Sequence, residues 1–297
     1  MKRLLKRFNN GIKLLFETIV SIIDVFCFGH PFARQRKLEK KCINAAVLAN
    51  GPSARSIILQ KPELLTDCDL IAMNDAAVSD DFERLKPRYY ILLDPAYFGG
   101  SWLGDKELTE NHYDEVLDKL YAKLYKVDWE MTLYLPFHKK AKSVAERFQD
   151  HKFVKIGHFN GGRVQGFNSY NMWALKHGLG LPSSRNIIIP AILLMINADY
   201  KNVYLYGAEF SWTKYMDIDV KTGLMFMNDR HFYSADEIRF FDRGAYRLRL
   251  EHIAEMLRGL EMVAQYAKRK GVTVINRTQG SFIDAFDYEN PDTLPRG

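Results

Sequence analysis

An apolar run, Ile43-Asn44-Ala45-Ala46-Val47-Leu48-Ala49, stops at the polar turn Asn50-Gly51-Pro52-Ser53, and a new segment begins with Ser53-Ala54-Arg55-Ser56. That order predicts a buried parallel strand feeding the N-terminus of a helix. Asn50 and Gly51 accept backbone angles that bulkier residues resist. Pro52 suits the first turn of a helix. Ser53 brings a hydroxyl and a backbone N–H to the positive end of the helix dipole, where a phosphate would sit. Strand-turn-helix corners are common, so the turn alone is equally readable as a plain connection.

The rest of the chain repeats the alternation. Strands are expected at 69–73, 89–93, 131–135, 153–156, 203–206 and 272–275. Helices are expected at 54–60, 106–125, 139–149, 168–178, 189–198 and 246–270. A Gly-rich loop is read over 157–166 and an irregular stretch over 211–236, within a lid segment 211–245. Strands alternating with helices predict an α/β fold, a Rossmann-like and mostly parallel sheet with helices on both faces. Residues 41–297 are read as one nucleotide-binding domain, and 1–40 as an amphipathic helix with a basic linker.

The chain has 297 residues, of which 47% are hydrophobic and 13% aromatic, enough for a sizeable core and against disorder as the main state. The net charge of +6 suits an anionic partner, but much of the excess is local: Lys2, Arg3, Lys6, Arg7 and Lys13, then Arg34, Arg36, Lys37, Lys40 and Lys41. Clustering of that kind points away from nucleic acid, whose partners spread cations with aromatics along a groove. Cys27, Cys42 and Cys68 form no CxxC pair, which points to a reducing compartment and no metal knuckle. Leu4, Leu5, Phe8, Ile12, Leu15, Ile19, Ile22 and Phe26 form a stripe at helical spacing beside these cations. Lys13, Glu17 and Asp24 interrupt it, so neither a signal sequence nor a membrane span is expected. The pattern is that of a helix lying in a membrane interface, or of one packed on its own core or on a second subunit.

In doubly wound folds ligands bind beyond the carboxyl ends of the strands. The residues there are Asn50, Asn74, Asp94, Gly207, Glu209 and Asn276. Asparagine can pair with a base or ribose as donor and acceptor without adding charge, although Asn and Asp are also ordinary turn residues. Ala49-Asn50-Gly51-Pro52-Ser53, Asn74 and Asp94-Pro95 resemble, in order and spacing, the bacterial lipooligosaccharide sialyltransferases of glycosyltransferase family 42. So does the block from Ala191 to Phe210, which ends in Tyr206-Gly207-Ala208-Glu209-Phe210 and is followed by Trp212, Tyr215 and His231-Phe232-Tyr233. Where that family has Gly-x-Asp-Phe this chain has Glu209. Where the family has Asn after the third strand it has Asp94, and Ser184-Arg185-Asn186-Ile187-Ile188 replaces an Arg-x-x-Ser-Gly stretch.

The resemblance implies a metal-independent glycosyltransferase using a CMP-activated sugar as donor substrate and no further cofactor. Donor contacts would come from Asn50, Gly51, Pro52, Ser53, Asn74, Asp94, Asn186 and Gly207. Tyr215 and Tyr233 would hold the phosphate and His231 would take the acceptor proton, with Glu209 as the rival base. Arg163 and Arg185 are further candidates for meeting an acidic sugar or phosphate. Asp217-Ile218-Asp219, an Asp-x-Asp spelling with no apolar run before it, is read as solvated loop or acceptor-site acid. The expected partners are the nucleotide-sugar donor, a glycolipid or saccharide acceptor and the inner-leaflet surface, with peripheral placement on the cytoplasmic face of the inner membrane and homo-oligomerisation left open. The alternatives are a transferase or diphosphokinase for another nucleotide, and a non-catalytic nucleotide- or glycan-binding scaffold.

Overall fold

In a computed structural model that describes residues 2–28, 30, 38–98, 110–183, 185–229 and 237–294, the chain forms an α/β fold of Rossmann type. A first helix, α1 (Lys2–Phe28), precedes β1 (Asn44–Leu48), α2 (Ser53–Gln60), α3 (Glu63–Thr66), β2 (Asp69–Met73), α4 (Phe82–Leu85) and β3 (Tyr89–Ile91). There follow α5 (Glu110–Tyr125), β4 (Met131–Pro136), α6 (Lys139–Arg147), β5 (Val154–Phe159), α7 (Asn168–Lys176), α8 (Ile188–Asn197) and β6 (Asn202–Tyr206). Three short strands, β7 (Met216–Ile218), β8 (Met225–Asp229) and β9 (Glu237–Phe240), lead to α9 (Ala245–Lys270), β10 (Thr273–Asn276) and β11 (Asp287–Tyr288).

The main sheet has the order β11-β10-β6-β1-β2-β3-β4-β5, and every pairing in it is parallel. The chain starts in the middle at β1, winds outward to β5, then crosses back to lay β6, β10 and β11 on the other side. The winding direction therefore reverses between β1 and β6, and in sheets of this kind the ligand crevice lies at the carboxyl ends of such a pair.

Burial on both faces explains the composition of the central strands. Ala45, Ala46, Val47 and Leu48 are all buried, as is the whole of β2, because helices cover the sheet on each side and no polar face is needed. One core lies under α8 and α9, the other under α2, α4, α5 and α6. Helix α8 is apolar all round and buried from Ile188 through Ile196, as a helix enclosed by the rest of a fold must be. Helix α9 is bounded by Gly244 and Gly271, both left-handed, and carries Lys268, Arg269 and Lys270 in its last turn, where cations oppose the negative end of the helix dipole.

At the amino ends of the strands one buried carboxylate gathers four segments. Asp69 Oδ2 accepts the N–H groups of Lys41 at 2.8 Å and Cys42 at 3.0 Å and the hydroxyl of Tyr200 at 2.6 Å. Arg88 Nε lies 3.8 Å from its other oxygen. The entry to β1, the start of β2, the approach to β3 and the turn before β6 are thereby joined. Burial pushes the Tyr200 phenol far above its ordinary value, so it stays a donor.

The structure departs from the sequence-based expectation in three places. The described part of the stretch 211–236 is not irregular throughout: it holds β7 and β8, which with β9 just beyond it form an antiparallel three-stranded sheet. Asp217 and Ile218 lie on β7, and Asp219 accepts from the Thr222 N–H and hydroxyl as a turn residue. Residues 157–159 belong to β5, so the Gly-rich loop is shorter than read. Strand β11, two residues long, adds an edge beyond β10 that no periodicity announced.

Two of the remaining loop glycines, Gly162 and Gly166, have a packing reason. Helix α1 rests its second half on this loop through Thr18, Ser21, Asp24 and Val25. Thr18 Oγ1 accepts the Phe167 N–H at 2.9 Å, Ser21 Oγ donates to the Arg163 carbonyl at 2.6 Å, and the Arg163 N–H donates to Asp24. A Cβ on Gly166 would lie 2.6 Å from Thr18 N, and one on Gly162 would lie 3.3 Å from Val25 Cα. The docked side is thus largely polar, and the apolar stripe faces away from the body: Leu5, Phe8, Ile12, Leu15, Phe16 and Phe26 are all exposed, Phe16 by 67%. The alternative that this stripe packs on the protein's own core is not what is observed. No helix among the described residues is long and apolar enough to cross a membrane.

Replacing Asp69 by Ala removes three acceptor contacts at once and leaves the buried Tyr200 hydroxyl with only its longer contact to the Tyr89 hydroxyl, at 3.3 Å. Urea unfolding of Asp69→Ala is expected to show a loss of about 3 kcal/mol, with Asp69→Asn retaining part of it.

Candidate functional site

The crevice between β1 and β6 is framed by backbone pairing that runs past the ends of both strands. The Ala49 N–H donates to the Tyr206 carbonyl at 2.8 Å, and the Gly51 N–H donates to the Gly207 carbonyl at 2.8 Å. The turn 50–53 and the segment 207–210 are therefore one unit. Both glycines are needed: a Cβ on Gly207, whose φ is +67°, would lie 2.6 Å from the Ala49 carbonyl oxygen, and one on Gly51 would lie 2.6 Å from the Gly207 carbonyl oxygen.

Glu209 is drawn into the same unit. Its Oε1 accepts the Ser53 N–H at 2.6 Å, capping the first turn of α2 from a distant part of the chain. Its Oε2 would lie 1.6 Å from a Cβ on Gly51, so the carboxylate occupies the space that residue leaves empty. The position expected for a phosphate at the head of α2 thus holds the protein's own carboxylate. Segment 207–210 is held from behind by the turn after β10: the Ala208 N–H donates to Thr278 Oγ1 at 3.1 Å, Ser281 Oγ donates to the Ala208 carbonyl at 2.6 Å, and the Phe282 N–H donates to the Glu209 carbonyl at 2.7 Å. Sequence reasoning missed Thr278 and Ser281. The available signal was a polar Thr-Gln-Gly-Ser run that begins two residues after the end of a strand.

The polar residues at the strand ends separate into two groups. Asn276 and Asp94 are turn residues that satisfy themselves. Asn276 accepts the Thr278 N–H and donates to the Ile283 carbonyl, and Asp94 accepts the Ala96 N–H. Asn186 belongs with them: its Oδ1 accepts the Ile188 N–H at 2.7 Å and caps the buried start of α8. Asn50, Ser53, Asn74 and Glu209 differ. Asn50 Nδ2 donates to the Met73 carbonyl at 3.3 Å, which ties the first turn to the end of β2, but Asn50 Oδ1, Ser53 Oγ, Asn74 Oδ1 and Glu209 Oε2 are shielded from solvent and have no hydrogen-bond partner among the described residues. Unpaired buried acceptors are costly, on the order of 1–3 kcal/mol each, and are a reason to expect a ligand.

Asn74 is also conformationally committed. Its φ is +49°, a left-handed angle that Asn tolerates better than most side chains. The Tyr90 hydroxyl donates to its carbonyl while accepting the Ala77 N–H at 2.8 Å. Complete burial pushes that phenol well above its ordinary value, so the proton needed for this contact is retained.

The remaining sequence candidates fall outside this cluster. Tyr215 stands at the entrance to the small sheet, half-buried, where its carbonyl accepts the Asn228 N–H at 3.1 Å. That sheet is linked to the crevice through Phe210, which packs on Trp212 with ring centres 4.5 Å apart. His231 and Tyr233 lie outside the described residues. Arg163 and Arg185 converge on Glu255, at 3.6 and 3.1 Å, and are structural ion-pair partners. No group of three or more His, Cys, Asp or Glu side chains able to hold a metal occurs among the described residues.

No protein-family model, curated protein or solved structure matches the chain.

Substituting Gly51 forces the carboxylate out and strains the β1–β6 pairing. Gly51→Ala is expected to cost about 1–3 kcal/mol, the range for overpacking a well-packed site, read as a fall in melting temperature.

Proposed function

We propose that the protein is a membrane-associated glycosyltransferase that moves a sialic-acid-like sugar from a CMP donor to a hydroxyl of a surface glycolipid or polysaccharide. The observation that carries this reading is the cluster of unpartnered polar atoms on Asn50, Ser53, Asn74 and Glu209, at the one place where a doubly wound sheet binds nucleotides. The ordered resemblance of these segments to the lipooligosaccharide sialyltransferases supplies the donor class.

In the proposed reaction the acceptor oxygen attacks the anomeric carbon as the bond from that carbon to the nucleotide phosphate breaks. The configuration inverts, the electron pair leaves with CMP, and the acceptor proton passes to His231. Histidine suits that step because its pKa lies near working pH, and tyrosine hydroxyls can stabilise the departing phosphate without a metal. The exposed stripe of α1, with Lys6, Arg7 and Lys13 beside it, fits a helix seated between acyl chains and anionic head groups. This would hold the enzyme, peripherally, against the cytoplasmic face of the inner membrane beside a lipid-linked acceptor.

Thermal shift across CMP, UMP, AMP and GMP tests the donor class. CMP is expected to give the largest stabilisation; a shift from another nucleotide with CMP inert would redirect the reading to a different transferase or a diphosphokinase. In transfer assays His231→Ala is expected to lose at least a hundredfold in rate with CMP binding kept, and a normal rate would remove histidine as the base. For the helix, Phe8→Glu/Phe16→Glu is expected to abolish flotation with anionic liposomes while leaving the melting temperature unchanged. Undiminished flotation would rule out this face as the anchor.

A further inference from the structure

We infer that the β1–β6 crevice holds a neutral, hydroxyl-bearing part of its ligand, the ribose diol of a nucleotide, and that Glu209 bars phosphate from the head of α2. The identity of the diol rests on the nucleotide reading above; the exclusion of phosphate does not.

The chemistry of the free atoms carries the inference. Asn50 Oδ1, Asn74 Oδ1 and Glu209 Oε2 can only accept, and Ser53 Oγ can do either. The donor side of Asn50 is already committed to the Met73 carbonyl. A phosphate at physiological pH is itself almost wholly an acceptor, so it would satisfy none of the three. A vicinal diol offers two O–H donors and no charge.

Electrostatics point the same way. The Ser53 N–H, the obvious anchor for an anion at the positive end of α2, is taken at 2.6 Å by Glu209 Oε1. Among the described residues Glu209 forms no ion pair and its second oxygen has no donor. A phosphate placed there would meet an uncompensated carboxylate at contact distance, in surroundings that screen charge poorly. The empty face of Gly51 does not open a phosphate cradle either, because the same carboxylate fills it. The leaving phosphate must therefore lie further along the crevice, away from the turn that at first sight resembles a phosphate-binding loop. Glu209 is thereby a specificity-determining residue: one oxygen shapes the turn and the other reads the ligand.

Isothermal titration of the full chain with CMP, its 2′,3′-dideoxy counterpart and orthophosphate tests this, using wild type, Glu209→Gln and Glu209→Ala. Glu209→Gln keeps an acceptor for the Ser53 N–H and so guards against a fold defect, checked by its melting temperature. Wild type is expected to bind the dideoxy nucleotide about tenfold to a hundredfold more weakly than CMP, the range for losing hydrogen bonds to a charged acceptor. In Glu209→Gln, CMP is expected to weaken towards the dideoxy value and the difference between the two ligands to shrink. Orthophosphate is expected to bind Glu209→Ala at least tenfold more tightly than wild type. Equal affinities for CMP and the dideoxy nucleotide in wild type would overturn the diol assignment while leaving the nucleotide reading in place. Equal orthophosphate binding by wild type and Glu209→Ala would overturn the exclusion of phosphate. Absence of binding by CMP and by its dideoxy counterpart in every variant would end the diol assignment together with the CMP reading, and the orthophosphate comparison would still decide the exclusion.

Discussion

The crevice depends on two strands continuing to pair after they have ended. The hydrogen bond from Gly51 to the Gly207 carbonyl extends the β1–β6 ladder into the loops. Backbones that come so close leave no room for a side chain on either glycine. Once they are joined, Glu209 cannot point elsewhere without abandoning the Ser53 N–H, and Asn50 is set beside the end of β2. The polar cluster is thus a consequence of backbone geometry before it is a matter of side-chain choice.

The two ends of the sheet use buried polar groups in opposite ways. At the amino end Asp69 is surrounded by donors from three other segments, and its contacts hold the strand entries in register. At the carboxyl end acceptors accumulate without donors. One carboxylate is thus satisfied on every side, while the other keeps one oxygen without a donor among the described residues. The same economy governs α1. Its inner side is fastened by Thr18, Ser21 and Asp24 to a loop whose glycines permit close approach, so its apolar residues remain for the outside.

Much of the fold was legible because strands buried on both faces must be apolar runs, and β1, β2 and β6 read as such. The small sheet was not legible. Its strands are three to five residues long and partly exposed, and a segment that short carries too little periodicity to separate from loop. Strand β11, with two exposed residues, carries none. The site was legible only in part. Asn50, Asn74, Asp94 and Asn276 are the same kinds of residue at the same kinds of strand end, Asn186 is another turn asparagine before a helix, and nothing in the sequence distinguishes a self-satisfied turn residue from one with a free oxygen. The contacts of Asn186 with Ile188 and of Asn276 with Thr278 and Ile283 separate them.

The sequence by itself determined the class of fold, the position of the β1–α2 turn and the amphipathic character of α1, because each rests on local periodicity and local backbone preference. Only the tertiary structure decided what the turn contains. Ser53 and Glu209 are 156 residues apart in the chain, and no local rule relates them. A turn that reads as a place for phosphate holds a carboxylate, because the crossing from β5 to β6 brings that residue to the head of α2 and the absent side chain of Gly51 gives it space.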